Sequence, residues 1–193
     1  MNNLPASLRS DQPATLLRYR WPLSPLYAPH WAKDKTIANK LINARAETIH
    51  KKPSFKNAFK KQRCLVLADG FYEWKKEGTR KQPYYFHLKN HEPFVFAGIW
   101  DENSLTPDKT FFIITTEANE TIKNIHHRMP VILTPDQAKI WLSEYTDEYA
   151  LHALLAPFSA SQMLAYPVDM AVNSGRINEA SLIKPLSSTP LFP

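Results

Sequence analysis

The chain has 193 residues, a formal net charge of +6, 44% apolar residues and 12% aromatic residues. That length supports one domain with a real core, and the aromatic content excludes an intrinsically disordered polymer. One cysteine excludes an intrachain disulfide framework, and there is no 18-residue apolar run and no N-terminal signal core, so a cytoplasmic protein without membrane contact is expected, nucleoid-associated if bacterial.

In chain order, residues 1–16 carry little pattern. Leu17–Trp21 reads as a short strand. Pro22–Pro29, with three prolines, reads as an extended loop opening into His30-Trp31-Ala32-Lys33-Asp34, and a short helix follows through Ile37 and Leu41. Ser54 is the expected cap of a helix over Phe55–Lys61, with Phe55, Ala58 and Phe59 on one face. Cys64–Trp74 reads as paired strand segments broken at Asp69-Gly70, followed by a charged hairpin turn over Lys75–Arg80. Aromatic and β-branched residues predict strands over Tyr84–Leu88, Phe94–Trp100 and Thr110–Thr116. Glu117–Ile125 reads as a short helix delivering His126-His127-Arg128. Thr134-Pro135-Asp136-Gln137 has the spacing of a capping box and starts a helix carrying Ala138, Trp141 and Leu142. A helix over Asp147–Leu155, a strand over Met163–Val168 and a polar segment over Asn173–Glu179 complete the pattern. Strands first, with short helices between and more helices late, predict a single α+β domain over residues 1–193. Its sheet is expected to be mainly antiparallel and barrel-like, with flanking short helices.

Glu73 sits in the run Gly70-Phe71-Tyr72-Glu73-Trp74. Burial beside large aromatics favours the protonated carboxyl that a general acid needs near neutral pH. The competing reading is a half-exposed strand carboxylate paired with Lys75 or Lys76. His126 titrates near neutrality when unperturbed and suits proton transfer, although a lone histidine is usually not catalytic. Arg45 and Arg128 carry planar forks that fit phosphate, against simple pairing with Glu47 or Asp69. Trp31 and Trp21, among Arg18, Arg20 and Lys33, read either as a stacking platform for single-stranded nucleic acid or as aromatics anchoring a long loop. The net positive charge suits such a polyanion without requiring one. The His87/His91 and His126/His127 spacings carry little metal-binding information, and neither metal nor cofactor is expected. Cys64 reads as a small buried hydrophobe rather than a nucleophile. Neither a Gly-rich phosphate loop nor a Gly-x-Ser-x-Gly elbow occurs.

Several segments together resemble the SRAP family, the SOS-response-associated peptidases or abasic-site processing proteins. They are Asn43-Ala44-Arg45-Ala46-Glu47-Thr48, Arg63-Cys64-Leu65, Gly70-Phe71-Tyr72-Glu73-Trp74, Phe96-Ala97-Gly98-Ile99-Trp100, Ile114-Thr115-Thr116-Glu117-Ala118-Asn119, Ile125-His126-His127-Arg128-Met129-Pro130 and Val172-Asn173. The resemblance runs from about Arg20 to Pro185. It implies an antiparallel core, a positively charged groove for single-stranded DNA containing abasic sites, and a monomer. It also implies covalent capping of the abasic site, in which the thiol and α-amine of an N-terminal cysteine close a thiazolidine on the sugar aldehyde. By the same resemblance Asn43 orients the nucleophile, Glu73 is the acid/base that opens the sugar and closes the ring, and His126 shuttles protons. Arg45 and Arg128 hold phosphates, and Trp31 lies in a DNA-facing loop. This chain begins Met1-Asn2-Asn3 where the family has Met-Cys-Gly-Arg, so the family's opening strand and nucleophile are expected to be missing. Enzymatic activity of this chain is therefore left open. The alternatives are a non-catalytic single-stranded DNA-binding remnant and a peptidase or other hydrolase built on Glu73 and His126.

Overall fold

In the computed structural model, residues 43–102 and 109–186 are described. Their strands are β1 (Asn43–Arg45), β2 (Arg63–Ala68), β3 (Phe71–Glu77), β4 (Arg80–Leu88), β5 (Phe94–Glu102), β6 (Lys109–Glu117), β7 (Arg128–Pro130), β8 (Ile132–Leu133) and β9 (Met163–Pro167). The helices are α1 (Pro53–Lys61), α2 (Pro135–Leu142) and α3 (Glu148–Ala153). The expected elements at Leu17–Trp21, Pro22–Pro29 and Ile37–Leu41, and Trp31 with them, lie outside the described residues. The chain groups into two compact units. The first draws on the chain up to Leu67, on Val95–Thr116 and on Pro130–Ala156. The second draws on Ala68–Phe94, on Glu117–Met129 and on the chain from Pro157 onward.

The sheet of the first unit runs β1-β6-β5-β2, with β8 against β5. Its β1 lies parallel to β6, with Ala44 opposite Ile114, while β5 and β6 are antiparallel. Phe55, Ala58 and Phe59 form the buried stripe of α1, as their spacing predicts. The Phe55 ring meets Phe112 edge-on at 5.2 Å, and Phe59 lies 5.9 Å from Trp141. Helix α1 starts earlier than expected. Pro53 occupies its first turn and Lys52 the cap position without a side-chain bond, so Ser54 is not the cap. Helix α2 has the expected reciprocal box: Thr134 accepts from the Gln137 amide, and the Gln137 side chain accepts from the Thr134 amide. Its Ala138 and Trp141 are buried, but Leu142 faces outward. One guanidinium closes both helix ends. Arg63 donates to the carbonyls of Phe59 and Lys60 at the end of α1, and to those of Trp141 and Ser143 at the end of α2.

The second unit is built on an antiparallel sheet in the order β3-β4-β9. Gly78 has φ +63°, a conformation side chains resist, and with Thr79 it makes the β3–β4 turn far tighter than the expected Lys75–Arg80 loop. The register sets Tyr72 opposite Tyr85 and Tyr85 opposite Tyr166, which makes a row of three tyrosines across the sheet. The fold is therefore α+β and mostly antiparallel, but neither sheet closes into a barrel among the described residues.

Candidate active site

Glu73 lies on β3, an edge strand among the described residues, opposite Tyr84. The strand enters past Gly70 because the Tyr85 ring occupies the space where a side chain would stand; a Cβ there would lie 2.2 Å from the Tyr85 ring. Strand alternation puts Tyr72 and Trp74 together on one face, with ring centroids 6.5 Å apart, and directs Glu73 to the other. Glu73 is nevertheless only 22% exposed. Burial pushes its carboxyl above the usual carboxylate range, opposed by His126 and by a hydrogen bond from the Trp74 backbone. Of the two lysines offered as alternative partners, Lys75 pairs with Glu77 at 3.3 Å.

His126 faces Glu73, with Nδ1 3.6 Å from Oε1. The same Nδ1 lies 3.0 Å from the Arg128 carbonyl and 3.3 Å from the Arg128 amide. The carbonyl contact needs a proton on Nδ1 and the amide contact needs Nδ1 to accept; the carbonyl contact is the shorter. His126 is not delivered by a helix. Residues 120–125 form successive turns, because the Asn119 side chain accepts hydrogen bonds from the Thr121 and Ile122 amides at 3.1 and 3.2 Å. Such a local bond competes with the helical ladder. The Asn119 amide also donates to the Phe158 carbonyl at 2.8 Å, and Ile122 is fully buried below. The turn is pinned at both ends before it presents His126.

The pair opens on a cleft of about 780 Å³ lined by Glu73, Trp74, Thr79, Arg80, Lys81, His126, Met170 and Asn173. Trp74 Nε1 donates to Asn173 Oδ1 at 2.8 Å, which fixes the indole. Of the residues singled out from the sequence, Glu73 and His126 meet here, and the Arg128 backbone holds the imidazole. Asn43 and Arg45 stand together on β1 of the first unit, both exposed, while Ala44 between them is buried. Cys64 is partly buried beside Gly98, and burial pushes its thiol up to about 12, so it is no nucleophile at neutral pH. The sequence reading assigned no role to Asn119, Asn173, Arg80 or Lys81. For Asn119 a signal existed, since an asparagine ahead of Glu120-Thr121 is a turn former. Arg80 read as hairpin charge, and Lys81 carried no signal of its own.

The family model described as SOS response associated peptidase (SRAP) matches residues 2–175. The chain is 43% identical over 186 residues to "Abasic site processing protein YoaM" of Bacillus subtilis, covering 94% of this chain and 80% of that protein. It is 34% identical over 164 residues to "Abasic site processing protein YedK" of Escherichia coli, covering 83% of this chain and 72% of that protein. A solved structure of a Bacteroides thetaiotaomicron protein superposes with a TM-score of 0.73 at 34% identity, over 81% of this chain and 72% of that one.

Proposed function

The chain belongs to the SRAP family, and on that premise we propose that it processes abasic sites in single-stranded DNA during the DNA damage response. The observation that carries the chemistry is the Glu73–His126 pair at the cleft. A closed abasic sugar is a hemiacetal, and opening it needs an acid and a base at once. Protonated Glu73 donates to the ring oxygen as the C1′–O bond breaks. Nε2 of neutral His126 takes the proton of the anomeric hydroxyl, which leaves the aldehyde. The imidazolium then releases its Nε2 proton to water and Glu73 recovers one from water, so the isomerisation gains and loses no atoms and both groups return to their starting forms. The 3.6 Å gap is wider than a hydrogen bond and is spanned by a water or by a small closure on substrate binding. Raised by burial, the Glu73 carboxyl holds its proton closer to neutrality than an exposed glutamate does.

In this reading Asn43 orients the attacking group, and Arg45 and Arg128 hold phosphates. The attacking group is not Cys64, whose thiol is protonated and has no adjacent α-amine. No helix among the described residues is long and apolar enough to cross a membrane. The proposed working form is a monomer acting at cytoplasmic DNA.

The test is a denaturing gel of the chain incubated with abasic single-stranded DNA, with and without borohydride. An adduct that survives denaturation unaided reports a stable ring-closed crosslink, and one that needs borohydride reports a Schiff base. Glu73→Gln is expected to slow adduct formation by about 10²–10⁴-fold. No adduct in either lane overturns the proposal.

A further inference from the structure

In the first unit, two imidazoles that the proposed chemistry does not use meet each other. His50 lies in the turns over residues 46–51 that follow β1, and His152 lies on α3. Nε2 of His152 stands 2.7 Å from Nδ1 of His50, with the rings close to perpendicular and their centroids 4.5 Å apart. Both side chains are half-buried. The His152 ring also meets Phe59 of α1 edge-on at 5.9 Å, and Phe59 is fully buried. The pair therefore ties α3 to the turn and to the core beneath it. Among the described residues, the charged groups that act on it come from three elements. They are Lys51 in the turn, Lys56 and Lys60 on α1, and Glu148 one helical turn before His152. Lys60 already engages Glu148 at 2.7 Å. Burial, then His50, hold His152 below the usual imidazole range, with Glu148 pulling the other way.

A bond between two ring nitrogens needs one donor and one unprotonated acceptor. Two neutral imidazoles satisfy it, and so does one imidazolium beside one neutral ring. Two imidazolium rings cannot, because both facing nitrogens then carry protons and two like charges stand at hydrogen-bond distance. Three lysines against one engaged carboxylate oppose the second proton further. We propose that the His50–His152 pair is a proton-operated latch, which holds α3 to the turn behind β1 while either ring is neutral and releases it when both are protonated. Folded His152 resists its proton more than the unfolded chain does. The latch is therefore intact above the unfolded imidazole pKa, weakens as pH falls through the window down to the folded value, and is open below it. Imidazole is the side chain whose ordinary titration falls in the range a cell crosses. Release is passed along the turn. The Lys51 and Lys52 amides donate to the Thr48 carbonyl at 3.0 Å, and the Thr48 amide donates to the Arg45 carbonyl at 3.1 Å, at the end of β1. The device lies wholly within the first unit and goes beyond the abasic-site reading.

The experiment measures hydrogen–deuterium exchange of the full chain at about pH 7.5 and about pH 5, corrected for intrinsic exchange, on peptides covering α3 and, as reference, β5. In the parent, protection of α3 is expected to fall about 2–12-fold relative to β5 in acid, the equilibrium weight of one neutral hydrogen bond. In His50→Gln the substituted amide offers His152 a carbonyl acceptor in either charge state, so α3 is expected to stay protected at both pH values. His152→Gln is expected to behave alike, since its amide still meets His50. In nitrogen NMR titrations the two rings of the parent are expected to protonate in two separated steps, and the ring left in each variant in a single ordinary step. Unchanged α3 protection in the parent overturns the latch. So does an acid loss that persists in either variant, which assigns it to other groups. Loss of α3 protection at neutral pH in both variants also overturns it, because the rings then serve packing alone. No DNA is present, so none of these outcomes depends on the abasic-site reading.

Discussion

Asn119→Ala tests whether the turn before His126 is held by a side chain. Asn119 acts there as a cap, accepting from the Thr121 and Ile122 amides, and removing such a cap costs about 1 kcal/mol. Its 2.8 Å bond to the Phe158 carbonyl contributes about another 1 kcal/mol. The sum, about 2 kcal/mol, lowers the melting temperature of a chain this size by about 4–8 °C. Differential scanning calorimetry measures that drop. Asn119→Asp keeps both acceptor bonds and loses the donor, so about half the drop remains. The same variants bear on rate. Displacing His126 by about 1 Å from Glu73 costs on the order of 100-fold in adduct formation. If Asn119→Ala melts within about 1 °C of the parent, well short of the drop expected, and reacts at its rate, the turn is held by Ile122 burial alone and the argument fails.

The raised Glu73 pKa has a stability consequence. Its folded value lies above the unfolded one, so the ionised carboxylate disfavours the fold. That penalty is absent below the unfolded pKa, grows as pH rises through the window up to the folded pKa, and is complete above it. Glu73→Gln should therefore raise the melting temperature at neutral pH and leave it unchanged in acid; equal effects at both would sink the burial argument. Gly70→Ala drives a methyl into the Tyr85 ring and should destabilise by about 1–3 kcal/mol in urea melts. With its thiol near 12, Cys64 is only about one part in ten thousand thiolate at pH 8. Iodoacetamide should label it when the chain is unfolded and leave it essentially untouched when native, as mass spectrometry would show.

Local chemistry was legible wherever a few adjacent residues decide the outcome. The capping box at Thr134–Gln137 needs only its own four residues, and it appears as expected. The buried face of α1 follows from three apolar positions. Ser54 misled because Pro53 starts the helix before it, leaving no cap position for the serine. The helix expected over Glu117–Ile125 is reduced to turns over residues 120–125, which Asn119 caps through the Thr121 and Ile122 amides. In the site, the types of Glu73 and His126 were legible, and the family resemblance paired them. The cations of the cleft were not legible, because Arg80 and Lys81 reach it only through the tight turn at Gly78 and the register of two strands.

The interleaving of the two units has a consequence for synthesis. Each is stitched from three separated stretches, so no contiguous piece of the chain carries either core. On the ribosome, β4 emerges with β3, but its other neighbour, β9, is still untranslated. The roughly 75 residues between Leu88 and Met163 take about 4–15 s at ordinary elongation rates. For that interval one edge of β4 has no partner, and Tyr85 and Phe86 lack the strand that later covers them. A nascent chain of this protein is thus a natural client for holding chaperones, and a premature stop before Met163 should yield aggregates rather than a shortened but folded product.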